Sequence, residues 1–76
     1  MIEKTYLARL KLTHKVHDTG LGWCWCYYRK GKMYVSECEN VEIPIRAEDI
    51  LSAQVALIQE LGLTKYRDLR IKDWGN

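Results

Sequence analysis

The chain has 76 residues, 47% of them hydrophobic and 29% charged, the balance of a soluble globular domain rather than of a disordered or membrane-spanning chain. One domain, residues 1–76, is expected at this length, and it removes only about 60% of its unfolded surface on folding. The net charge of +2 conceals a division: residues 1–36 carry an excess of five positive charges, residues 37–64 five negative, and the tail from Lys65 two positive. That polarity can orient a partner without making the whole chain a polyanion binder.

Lys4 and Arg9 interrupt the N-terminal stretch before it builds a secretory core, and the longest apolar run, Leu21 to Tyr28, is far short of the ~20 residues that span a bilayer. A cytoplasmic setting without a membrane partner is expected. From Thr5 to Val16 the residues alternate, with Tyr6, Ala8, Leu10 and Leu12 on one side and Arg9, Lys11, Thr13 and Lys15 on the other. This is the pattern of a half-buried strand. Asp18-Thr19-Gly20 ends it with turn chemistry.

The next strand, Gly22 to Arg29, differs because both of its faces are bulky or apolar: Trp23, Trp25 and Tyr27 alternate with Cys24, Cys26 and Tyr28. A one-layer sheet normally needs only one such face. Something must cover the second. Lys30-Gly31 is a plausible two-residue turn, and counting outward pairs Arg29 with Lys32, Tyr28 with Met33, Tyr27 with Tyr34, Cys26 with Val35, Trp25 with Ser36, Cys24 with Glu37 and Trp23 with Cys38. The register collects Trp23, Trp25, Tyr27 and Tyr34 on one face and Cys24, Cys26, Met33 and Val35 on the other.

Val41 to Ile45 reads as the end of that third strand or as a short extended arm stopped by Pro44. Ala47 to Leu61 has helical spacing, with Ile50, Leu51, Leu57 and Ile58 expected to face the sheet, acids at its start and Gly62 as its C-terminal cap. Asp68 to Trp74 alternates Leu69 and Ile71 against Arg70 and Lys72 as a fourth strand. The expected fold class is therefore α+β: β-β-β-α-β, a four-stranded sheet of three antiparallel strands plus a C-terminal strand, with one helix packed on one face. A helical crossover favours placing the last strand parallel to the first. The smoother aliphatic face, with Ala8, Leu10, Leu12, Cys26, Met33, Val35, Leu69 and Ile71, is the one a helix can approach closely.

This order of elements, with Arg46-Ala47-Glu48 opening the helix and Lys72-Asp73 ending the last strand, resembles a truncated ribonuclease H-like fold of the kind seen in partial ribonuclease H-like antitoxin domains. The resemblance implies that Glu48 and Asp73 occupy two of that family's acidic metal-binding positions. Thr5 to Val16 holds no acid to match the one in the family's first strand, so a two-metal nuclease site lacks a ligand. The chain is read as non-enzymatic, with no catalytic residues.

Three cysteines without an export signal are expected to be reduced, and a Cys-x-Cys within a strand is not the wrapped spacing of a zinc knuckle. No metal or other cofactor is expected. His14 and His17 have no nucleophile or carboxylate constellation around them. The remaining group with chemical content is aromatic and basic: Trp23, Trp25, Tyr27 and Tyr34, expected to share a face with Arg9, Lys11, Arg70 and Lys72. Such a surface suits a protein partner or a second copy as a homodimer, and it also suits single-stranded nucleic acid, whose bases stack and whose phosphates need cations. Against both stands the plain structural reading, in which the helix covers these rings as ordinary core. By association, small domains of this type occur among phage and mobile-element proteins that inhibit a host complex.

Overall fold

A computed structural model describes residues 2–74. Six strands and one helix follow one another: β1 Lys4–Leu12, β2 Lys15–Asp18, β3 Gly22–Arg29, β4 Lys32–Ser36, β5 Asn40–Ala47, α1 Ile50–Leu61 and β6 Tyr66–Asp73. They form two three-stranded antiparallel sheets, ordered β5-β1-β6 and β2-β3-β4, so the α+β class holds while the expected single four-stranded sheet does not.

The difference arises at Thr13 and His14. The residues expected to form one strand bend there, and β1 and β2 each join a different sheet. Backbone bonds hold the bend, with Leu12 N–H donating to Glu39 C=O at 2.7 Å and Thr13 N–H to Lys65 C=O at 3.1 Å. Asn40–Ala47 is accordingly a full strand that pairs with β1 from Lys4↔Ala47 to Lys11↔Asn40, not a short arm. Pro44 is tolerated because β5 is an edge strand, where a missing N–H on the open side removes no ladder bond.

Strand β6 is antiparallel to β1, contrary to the parallel placement that the sequence and the ribonuclease H-like resemblance suggest. The crossover rule applies to a different pair of strands. Both β5 and β6 run antiparallel to β1 and therefore parallel to each other, with α1 connecting them and β1 lying between. Within β6, Asp68 adopts a left-handed conformation (φ 59°) where the pairing shifts between Arg9 and Lys11, a bulge that a short polar side chain accommodates well.

Asp49 fixes the start of α1 by accepting a hydrogen bond from Ser52 N–H at 2.8 Å, which moves the helix start from Ala47 to Ile50. These bonds hold its carboxyl below the usual carboxylate range. Gly62 closes the other end with a positive φ, and its N–H donates to Ile58 C=O. The helix buries Ala53, Leu57 and Leu61 against Tyr6, Ala8, Leu10 and Leu12 of β1 and Ile43, Ile45 and Ala47 of β5. Each fully buried Leu contributes about 1.5–3 kcal/mol.

This is the expected aliphatic face of β1, but the helix turns a different side toward it. Ile50, Leu51 and Ile58 are exposed rather than packed. Only Glu60 is charged among the residues of α1, so periodicity alone leaves its buried side ambiguous, and small Ala53 permits the closest approach. Met33 and Val35 are also exposed, at 51% and 36%, because β4 is the edge of the second sheet and not part of the sheet that the helix covers.

The β3–β4 hairpin has the expected register from Arg29↔Lys32 to Trp25↔Ser36, where the ladder ends before the Cys24–Glu37 and Trp23–Cys38 pairs. Both turn residues have positive φ, 53° at Lys30 and 78° at Gly31. Lys30 is strained there in a way that Asn would relieve. Replacing Lys30 by Asn is expected to stabilise the protein by about 0.5–1 kcal/mol in a denaturant melt, since the backbone bond from Lys30 N–H to Glu60 C=O is retained.

Candidate interaction surface

Strand β3 is the centre of the second sheet, and its alternation sorts the side chains. Cys24 and Cys26 are buried on one side, while Trp23, Trp25 and Tyr27 emerge on the other. The aromatic side is graded along the strand. Trp25 and Tyr27 are half-buried and pack against the main core, whereas Trp23 is 70% exposed and Tyr34 of β4 is exposed beside Tyr27. The expectation of either a core face or a free face thus resolves into a buried root and an exposed tip.

Their geometry is ordered. Tyr27 and Tyr34 stack with centroids 5.3 Å apart and planes at 17°, and His17 meets Trp23 edge-on at 5.3 Å and 79°. Lys15 lies over the Trp25 ring, its Nζ 4.7 Å from the centroid, and Lys32 lies over Tyr34 at 5.8 Å. Each such cation–π contact contributes about 0.5–1 kcal/mol at an exposed site.

The four cations expected beside the rings are elsewhere. Arg9, Lys11, Arg70 and Lys72 belong to the β5-β1-β6 sheet, with Arg9 paired opposite Arg70 and Lys72 opposite Leu7. Arg9 bonds Glu42 at 2.7 Å and Lys11 approaches Glu39 at 3.5 Å, which neutralises two of the four. Among the described residues Arg70 and Lys72 have no ion pair. The eight residues therefore form two separate groups, because the bend at Thr13–His14 carries β1 and β2 into different sheets.

Lys15, His17 and Lys32 take the places beside the rings, and the turn at Asp18–Gly22 contains the signal for two of them. Counting outward from Asp18↔Gly22 pairs His17 with Trp23, Val16 with Cys24 and Lys15 with Trp25. Lys32 could be reached in the same way from Lys30-Gly31, one residue before Met33.

Glu48 follows the end of β5 and Asp73 ends β6. Strand β1 brings Lys4 rather than an acid between these ends, and its Nζ bonds the Asp73 carboxylate at 3.2 Å. Among the described residues no three His, Cys, Asp or Glu side chains come together as a metal-binding group. His14 offers its backbone C=O to Cys26 N–H, and its ring borders a shallow depression with Cys26, Tyr28, Leu63, Thr64 and Lys65.

Cys24 and Cys26 share the buried side, and the Cys24 thiol donates weakly to Val16 C=O at 3.8 Å. Burial pushes the Cys26 thiol pKa up, and neighbouring Cys24 adds to the rise. Cys38 is exposed. Thiolate is the reactive form, so accessibility and the raised pKa act together. In a thiol-disulfide reagent assay at pH 8, one thiol, that of Cys38, is expected to react rapidly and the other two only after unfolding; a Cys38→Ser variant that retains a fast-reacting thiol would contradict this arrangement.

Comparison with known proteins finds no matching family model, no similar curated protein and no similar solved structure.

Proposed function

We propose that the chain is a non-enzymatic binding protein whose recognition surface is the aromatic side of the β2-β3-β4 sheet, and that its partner is a protein. The observation that carries this reading is Trp23, a large ring left 70% exposed on a strand and steadied edge-on by His17. Trp and Tyr are the residues most enriched among interface anchors, because they supply much contact area at little entropic cost. Tyr34 extends the patch, and Trp25 and Tyr27 support it from the core. A surface of this kind acts by occupancy, so inhibition or regulation of a larger complex is the corresponding activity.

Single-stranded nucleic acid is the second reading, supported by Lys15 and Lys32 over the rings. Stacking contributes about 1–3 kcal/mol per base, and nearby ammonium groups would hold phosphates. The protein partner is favoured because Arg9, Lys11, Arg70 and Lys72 lie on the other sheet, so the rings do not share their face with the row of cations that would follow a backbone.

Substituting Ala for Trp23 is expected to leave stability within about 0.5 kcal/mol, while Ala for Trp25 costs about 2 kcal/mol or more through its contact with the core. Partner affinity should fall in the Trp23 variant by about 2 kcal/mol or more, roughly thirtyfold. Oligothymidine titration at physiological salt separates the readings. No saturation is expected; binding that weakens steeply with salt and with Lys15→Ala would establish the nucleic-acid reading instead. Unfolding of Trp23→Ala would remove the surface from consideration altogether.

A further inference from the structure

Helix α1 is apolar on two sides. Its inner side is filled by Ala53, Leu57 and Leu61, but its outer side carries Leu51, Val55 and Ile58 at helical spacing, flanked by Ile50. Leu51 is 67% exposed and the other three are close to half exposed. The polar residues between them, Ser52, Gln54 and Gln59, are all neutral. The helix's single charge, Glu60, is turned toward Arg29 of β3 at 2.7 Å. A helix that lies on a sheet and faces water normally presents charged residues outward. Leu63, past the C-terminal cap, is also exposed.

We infer that this outer face of α1 is where a second copy of the chain packs, with the two helices antiparallel about a two-fold axis. An uncharged stripe lets identical surfaces meet without electrostatic repulsion, and an isologous contact requires such self-complementarity. The charges at the stripe's ends select the direction. Glu48 and Asp49 precede the helix and Lys65 follows it, and none of the three has an ion-pair partner among the described residues. Antiparallel packing places the acidic start of each helix beside Lys65 of the other copy and opposes the helix dipoles. Parallel packing would set the acids of both copies side by side.

A helix of 12 residues is about 18 Å long, and its apolar stripe amounts to several hundred Å². Two copies burying this area fall at the small end of specific interfaces, so the dimer is reversible and concentration-dependent, with dissociation on the order of micromolar or weaker. The contact is independent of the aromatic side of β3. Both surfaces can be occupied at once.

Sedimentation equilibrium from about 1 µM to 1 mM tests the inference, with thermal melts of every variant at the lowest concentration to verify folding. Wild type is expected to pass from monomer to dimer. Leu51→Glu and Val55→Glu should each weaken the dimer at least tenfold, since both side chains are exposed in the monomer, while Trp23→Ala should leave it unchanged. Glu48→Lys and Lys65→Glu should each weaken association, and combining them should restore it. A chain that stays monomeric at 1 mM, or a dimer indifferent to Leu51→Glu, would overturn the helix interface. Failure of the charge swap to rescue association would overturn the antiparallel arrangement. A dimer lost in Trp23→Ala would assign self-association to the aromatic surface.

Discussion

The architecture depends on how the edge of β3 is completed after the first strand turns away from it. Successive outward backbone groups on that edge belong to Cys26, Tyr28 and Lys30. Cys26 N–H still reaches His14 C=O at 3.1 Å, but beyond it the neighbouring chain has left for the other sheet. Thr64 takes over. Its hydroxyl accepts from Tyr28 N–H at 2.7 Å and donates to Tyr28 C=O at 3.0 Å, so one side chain satisfies both groups that a strand residue would have satisfied. Lys30 N–H then donates to Glu60 C=O at 2.8 Å, occupying one of the carbonyls that the last turn of a helix leaves without an intrahelical partner.

Arg29 reinforces this junction from the other side of β3. It donates to the Glu60 carboxylate at 2.7 Å and to Pro44 C=O at 2.8 Å, joining the aromatic sheet, the helix and the edge strand β5 through one guanidinium. Both charged side chains are about a quarter exposed or less, so the pair is screened less than a surface ion pair, and hydrogen bonds to charged groups contribute about 1.5–3 kcal/mol in such settings. The functional consequence is positional. With β3 fastened to the end of α1, Trp25 and Tyr27 rest on the core and Trp23 is carried outward.

Local chemistry was legible in the sequence where a short turn fixed the register. Lys30-Gly31 determined the β3–β4 pairing and placed the four aromatic residues on one side, and the alternation of Leu69 and Ile71 with Arg70 and Lys72 located β6. The separation of the sheets was not legible, because the bend at Thr13–His14 contains neither Gly nor Pro and is held by partners at Glu39 and Lys65 that lie far away in sequence. Separating Arg9, Lys11, Arg70 and Lys72 from the rings followed from that bend. The orientation of α1 was hidden for a different reason, since a helix with one charge gives no polar face to assign to water. Thr64 carries no signal beyond being a threonine after a helix cap.

If this junction positions the aromatic sheet, loosening it should loosen that sheet alone. Native-state hydrogen exchange of Thr64→Val, which keeps the side-chain shape and removes the hydroxyl, measures this most directly. Protection of the β3 and β4 amides is expected to fall by about tenfold or more, corresponding to about 1.4 kcal/mol, while β1, β5 and α1 exchange as in the wild type. A uniform loss across both sheets, or no loss in β3, would contradict it.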